Sequence, residues 1–396
     1  MAKTVCLVTG PIVGLRSTWF LEETVAFASR LGKNLKVFNL FDEIAKQAGI
    51  RPENAYEYSD YVGGLLDGYQ YQFALLREKA YLSIAMQMEK LPGTVDVIVR
   101  APASIEWRGI NVEFKDHRII AETICPDRIV TLIDAEWKIQ QRLKTEYGKH
   151  ALRVIAHQNS ASLERILDWL GAEVSRSEDW GEWLTHLTKK RIGHYVVGIE
   201  IPSPRNRSVY VRDVDNMVKL ATEKKLTSFY ASYSMTVATE NIRKVINDTI
   251  WELRKYGVVI DPAAIEIGQN VDAAEEDVVF AFTVCRDLRW DVQKVDIVSA
   301  FHPYPKMPPL STGMMDELGH ARAFRKERYM VLPSGSGSPF TKDNYIPAEH
   351  LFKDTKSFFK YLQTKRHPSL KPHFARNVKA FMKWQDRRRK SRCAHK

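Results

Sequence analysis

The stretch Asp296-Ile-Val-Ser-Ala-Phe301, followed by Ser311-Thr-Gly-Met-Met-Asp-Glu317-Leu-Gly-His-Ala321 and then Tyr329-Met-Val-Leu332, decides the fold. A short apolar run is followed by a helical pattern and a second apolar run. Strands buried on both faces read as nearly continuous apolar runs, and two such strands joined through a helix lie parallel. The alternation extends outward. Ser228–Ser234 is strand-like. Thr239 is placed to cap a helix over Glu240–Tyr256, whose positions Ile242, Val245, Ile246, Thr249, Ile250 and Leu253 recur at helical spacing. Val258–Ile260 is a further strand, and Val278–Val284 fits a strand or a helix.

The first two hundred residues carry the same pattern. Strands are expected at Thr4–Thr9, Leu35–Leu40, Val95–Arg100 and Arg128–Ile133, with helices such as Trp19–Leu31 and Glu136–Tyr147 between them. The prediction is an α/β chain with two doubly wound parallel-sheet domains, residues 1–205 and 226–365. The turn-rich segment Pro202-Ser-Pro-Arg-Asn-Arg207 marks a linker, set at 206–225. No internal repeat of fixed period is present.

The chain has 396 residues and a formal net charge of +11. Twelve of the 59 basic residues and one of the 48 acidic residues fall in Thr364–Lys396, leaving 47 of each sign in residues 1–363. The excess charge therefore belongs to a basic tail at 366–396, and a broad nucleic-acid-binding surface on the body is excluded. Within that tail Phe374, Val378, Phe381, Met382 and Gln385 form a helical stripe ahead of Arg387-Arg-Arg-Lys390. This reads as a docked helix with a solvated charged end, which is also the one place suited to attract RNA or an acidic partner. No apolar run approaches a membrane span, and Cys6, Cys125, Cys285 and Cys393 form no CxxC pair. These features fit a cytoplasmic protein without a metal site or disulfide framework.

Thr9-Gly10-Pro-Ile-Val-Gly14-Leu15-Arg16-Ser17-Thr18 follows a strand and opens a helix, the position of a phosphate-binding loop. That loop type wants Gly at position 15 and Lys at 16, where this chain has Leu and Arg; the Leu Cβ obstructs close backbone approach to phosphate. With Cys125-Pro-Asp127 through Asp134 and Gln141-Arg142-Leu143, the region resembles a degenerate adenylate-kinase-like nucleotide kinase. The resemblance implies nucleotide contacts at Gly10, Gly14, Arg16, Ser17 and Thr18, with Mg²⁺ and ATP bound only if the domain is active. A scaffold or dimerisation module that has lost catalysis is the favoured reading.

Asp287-Leu-Arg-Trp290, Asp296-Ile-Val-Ser-Ala300 and Ser311-x-Gly-x-x-x-Glu317-Leu-Gly-x-Ala321 occur in that order. As a set they resemble the nucleoside 2-deoxyribosyltransferase superfamily, most closely its 2′-deoxynucleoside 5′-phosphate N-hydrolase branch. The resemblance implies a Glu317 nucleophile, Asp287 orienting the ribose and assisting proton transfer, and a Tyr beside the nucleophile, taken as Tyr233. It further implies substrate contacts at Ser311, Gly313, Ser232 and Ser234, with Ser311 at the 5′-phosphate. No cofactor is needed, and a homo-oligomer is expected. Two departures stand out. Asp287 and Asp296 lie one residue further apart than the pattern, and His302–Leu310 is a Pro-rich insertion. Independently of family, cleaving an N-glycosidic bond builds positive charge at C1′, which a carboxylate on the open face stabilises or captures. The predicted activity is hydrolysis of a nucleoside 5′-monophosphate to base and (deoxy)ribose 5-phosphate. The alternatives are base transfer, NAD cleavage, phosphoryl transfer by the first domain, and a nucleotide-sensing scaffold without turnover.

Overall fold

The computed structural model describes residues 3–11, 17–50, 55–107, 110–143, 162–199, 207–234, 239–265, 276–303, 311–333 and 346–365. The chain divides into two compact units. One holds Met1–Ile201 with Leu220–Lys224 and Ile265–Thr283; the other holds Pro202–Lys219, Lys225–Ala264 and Val284–Lys396. Both contain an all-parallel five-stranded sheet, the doubly wound α/β architecture that the alternation predicts.

The first unit has strands β1 (Val5–Thr9), β2 (Asn34–Asn39), β3 (Val95–Arg100), β4 (Ser104–Trp107), β5 (Ile110–Glu113), β6 (Arg128–Ile133) and β7 (Gly193–Gly198). Its main sheet runs β2-β3-β1-β6-β7, and β4 pairs with β5 as an antiparallel hairpin. The helices are α1 (Ser17–Arg30), α2 (Leu40–Gln47), α3 (Ala55–Gly68), α4 (Gln70–Glu89), α5 (His117–Thr123), α6 (Glu136–Leu143) and α7 (Leu163–Thr188). Leu7, Val97, Val99 and Ile129 of the sheet pack with Tyr81 and Ile84 of α4 and with Trp180 and Leu184 of α7.

A buried carboxylate ties this unit together. Glu173 of α7 accepts hydrogen bonds from the backbone N–H groups of Gly10 (2.8 Å), Ala103 (2.8 Å) and Ser104 (2.7 Å), and from the Ser104 hydroxyl (2.6 Å). It thereby joins the end of β1 and the start of β4 to one helix. Burial raises its pKa, and the four donors pull in the opposite direction.

The second unit has β8 (Ser228–Tyr233), β9 (Val258–Ile260), β10 (Ile297–Phe301), β11 (Glu327–Val331) and β12 (Leu351–Phe352) in the order β12-β11-β10-β8-β9. Counted within the unit and from the other edge, this is 2-1-3-4-5, the flavodoxin-like order, with its switch point between β8 and β10. Its helices are α8 (Arg207–Thr222, the part up to Lys219), α9 (Glu240–Leu253), α11 (Thr312–Ala323) and α12 (Thr355–Lys365), whereas α10 (Glu276–Cys285) falls in the first unit up to Thr283. Thr239 caps α9 by accepting from the Ile242 N–H, and Ile246, Thr249, Ile250 and Leu253 are buried as their spacing predicts. Val245, at the edge of that stripe, is 45% exposed. Val278–Val284 lies within a helix.

Residues 206–225, expected to be a linker, instead contain α8. Val214, Met217, Val218 and Ala221 are buried at helical spacing, a pattern that the neighbouring polar, Pro-rich segment obscured. Asp215 on α8 is fully buried and paired with Arg254 (2.6 Å) and Lys219 (3.1 Å). Lys219 also donates to the backbone carbonyls of Arg254 and Gly257. The expected tail, 366–396, lies outside the described residues.

Removing one partner of a buried ion pair strands the other charge away from water. Arg254→Ala should therefore destabilise the second unit by about 3–5 kcal/mol, read by urea denaturation.

Candidate active site

Strand alternation sets the site. Phe229 and Ala231 of β8 and Ile297 and Phe301 of β10 turn toward the core formed with α9 and α12. Tyr230 and Ser232 therefore turn toward the opposite face of the sheet. Glu317 is buried there on α11, beside buried Met314, Leu318 and Ala321. The Tyr230 hydroxyl donates to one carboxylate oxygen at 2.7 Å, and the Ser232 hydroxyl donates to the other. Burial pushes the Glu317 carboxyl up to about 7, against the pull of those two donors.

The helix following α10 continues as a π-helical turn over Arg286–Val292. A π-turn accommodates one extra residue in a helix. Asp287 is gripped by Arg286, whose Nε and Nη2 both reach its Oδ1, at 2.9 and 2.7 Å. Arg286 is itself buried, so the pair is not a surface ion pair. The same turn carries Asp291, which is buried and makes no side-chain hydrogen bond or ion pair among the described residues. Desolvation raises both aspartates. Asp291 is held well above the usual carboxylate range, with the charges of Asp287 and Glu317 adding to the effect and Arg286 opposing it. Three carboxyls, one guanidinium and the Tyr230 phenol thus share one electrostatic environment.

Ser311 is the N-cap of α11, its hydroxyl accepting from the Met314 N–H at 3.2 Å. A Cβ built on Gly313 would meet no atom within 4 Å, so packing does not require glycine there. Ser234 is buried just past the end of β8. Asp296 lies at the other end of the strands. Its carboxylate accepts from the backbone N–H and the hydroxyl of Ser228, both at 2.9 Å, and fastens β10 to β8 at their amino ends.

The structure corrects one assignment. Tyr233, expected beside the nucleophile, faces the other side of β8 and donates to Asp261 at 2.6 Å. Tyr230, whose place in the strand reads as core packing, is fully buried and also donates to Glu317. The period of two along a strand puts 230 and 232 together and excludes 233. Ser232, expected to touch substrate, is likewise occupied with Glu317. Asp291 was not singled out in the sequence.

In the first unit, the Thr18 hydroxyl accepts from Arg100 at 2.9 Å, and the Ser17 hydroxyl is buried with no hydrogen-bond partner among the described residues. Gly10 takes a positive φ of 137°, and a Cβ there would lie 2.6 Å from the Leu132 carbonyl. Gly14 and Arg16 lie outside the described residues. Among the described residues, no cluster of three or more His, Cys, Asp or Glu is arranged to hold a metal ion, and no helix is long and apolar enough to cross a membrane.

No family model matches the chain, and no curated protein matches it. Among solved structures, a 2-desoxiribosyltransferase from Leishmania mexicana is similar to this chain, with 15% identity and a TM-score of 0.24. The match covers 35% of this chain and 99% of that one. That score is too low for the match to bear on the chemistry.

Glu317 also constrains stability. Its folded-state pKa is raised, so the folded state binds the proton more tightly than the unfolded chain. The stabilisation from that proton is complete below the unfolded value, about 4.5, and is lost as pH rises through about 7. Glu317→Gln removes the titration. The variant should therefore gain stability relative to the parent as pH rises from 5 to 8, by up to about 3 kcal/mol, measured by thermal denaturation across pH.

Proposed function

We propose that the second unit cleaves the N-glycosidic bond of a nucleoside 5′-monophosphate, with a deoxynucleotide as the expected substrate. The observation that carries this reading is the Glu317 carboxylate, withdrawn from water on one face of β8 and held by two hydroxyls. A carboxylate poorly satisfied in its resting state gains most when positive charge develops beside it, the condition for stabilising a transition state over a ground state.

In this reading Glu317 attacks C1′ and the C1′–N bond breaks, with the bonding pair leaving on the base. The base takes a proton as it departs. Asp287, anchored by Arg286, orients the ribose and assists that transfer; Asp291 is the neighbouring carboxyl whose pKa burial raises. Water then attacks C1′ of the glycosyl-enzyme, passing its proton to the carboxyl that protonated the departing base. The sugar 5-phosphate is released, and Glu317 regains its negative charge. The Ser311 cap and the first N–H groups of α11 receive the 5′-phosphate, which the positive end of the helix favours. The two bonds from Tyr230 and Ser232 fix the carboxylate's orientation for attack.

Free base should appear when the chain is incubated with a panel of nucleoside monophosphates and the products are separated by chromatography. Glu317→Gln should abolish release, and undiminished activity in that variant removes the nucleophile assignment. Because Glu317 must be ionised to attack, kcat/KM should fall about tenfold per pH unit well below pH 7. Gly313→Ala separates binding from folding: with open space at that position, stability should be unchanged or slightly higher, whereas KM for the monophosphate should rise at least several-fold. An unchanged KM places the phosphate elsewhere.

A further inference from the structure

Helix α4 of the first unit has two apolar faces. Phe73, Ala80, Tyr81, Ile84 and Met88 pack into the core. At about 100° per residue, Tyr71, Leu75, Leu82 and Met86 fall together on the opposite side. They are exposed by 77%, 38%, 45% and 57% respectively. A helix that is apolar on both sides belongs in an interior, and here only one side is covered.

The exposed stripe is symmetric along the helix. Its steps of four, seven and four residues read the same from either end, and its centre falls between Glu78 and Lys79. Both charged residues are exposed, and neither makes a side-chain hydrogen bond or ion pair among the described residues. We propose that this face is a self-association surface, on which a second copy of the chain docks its own α4 antiparallel across a two-fold axis. In that arrangement Leu75 meets the partner's Leu82, Tyr71 meets the partner's Met86, and Glu78 meets the partner's Lys79. Every contact occurs twice, the self-complementarity that a two-fold interface requires. Aromatic–thioether and leucine contacts bury the stripe, and the central charges fix antiparallel register. A parallel pair would set Glu78 against the partner's Glu78 and lose the match. A lipid surface would instead favour a cationic flank, whereas the centre of this stripe carries one charge of each sign.

The test is the mass of the full-length chain by sedimentation velocity across micromolar concentrations. A dimer is expected. Glu78→Lys alone and Lys79→Glu alone should each weaken dimerisation by about tenfold or more, because like charges then meet twice. The double reversal Glu78→Lys with Lys79→Glu should restore it, a result that misfolding cannot mimic. Leu82→Asp should give a monomer with an unchanged far-ultraviolet circular dichroism spectrum. A monomeric parent chain, a dimer indifferent to all these substitutions, or a double reversal that fails to restore association would each overturn the proposal.

Discussion

The hydrogen bond from the Tyr230 hydroxyl to the Glu317 carboxylate joins the first strand of the second unit to the helix after its third strand, and much of the unit's geometry follows from it. For the bond to form, β8 must present residues 230 and 232 to the α11 side and residues 229 and 231 to the core with α9 and α12. A register slip of one residue would exchange these sets, burying the polar pair in the apolar core. At the amino ends, the reciprocal bonds between Ser228 and Asp296 fix the same two strands. One polar lash at each end of β8 thus settles both the register and the direction in which the carboxylate is held.

Three buried carboxylates are compensated in three different ways. Glu173 receives three backbone N–H donors and a hydroxyl, so it is well satisfied and acts as a clamp between strand ends. Asp215 has a guanidinium and an ammonium against it. Glu317 has two neutral hydroxyls, with no cation bonded to it among the contacts described above. Hydroxyl donors only partly replace lost hydration, which is why its proton is retained to about pH 7. The contrast lies in charge: Asp215 is neutralised by two cations although its Oδ1 accepts no hydrogen bond among the described residues, whereas both Glu317 oxygens accept from neutral hydroxyls.

Much of the architecture was legible in the sequence because parallel strands buried on both faces have an unmistakable composition. Val95–Arg100, Arg128–Ile133 and Val258–Ile260 are found where the apolar runs place them. The Thr239 and Ser311 caps follow from short-range side chain-to-backbone chemistry, which needs no tertiary information. Helix α8 was missed because its apolar stripe follows a turn-rich segment that reads as a break. The hairpin β4–β5 and helix α7 also went unassigned, and Glu173 has no local sequence signal: its three N–H donors lie 69 to 163 residues away. The choice between Tyr230 and Tyr233 was decidable in principle from strand period. It required knowing which face of β8 meets α11, and that depends on the path of the chain after β10. Asp291 carries no local sequence signal, because its burial depends on how the π-helical turn over Arg286–Val292 packs.

The distance along the chain between Tyr230 and Glu317, 87 residues, has a consequence for biosynthesis. At a translation rate of about 5–20 residues per second, β8 leaves the ribosome several seconds before the carboxylate that completes it. During that interval the Tyr230 and Ser232 hydroxyls lack their native acceptor. β8 also cannot enter the centre of its sheet until β10 arrives, because parallel neighbours are supplied only by crossover connections. The nascent second unit must therefore wait with β8, an interior strand, unpaired on one side. The chemistry of the site and the closing of the sheet are completed by the same late-arriving segment.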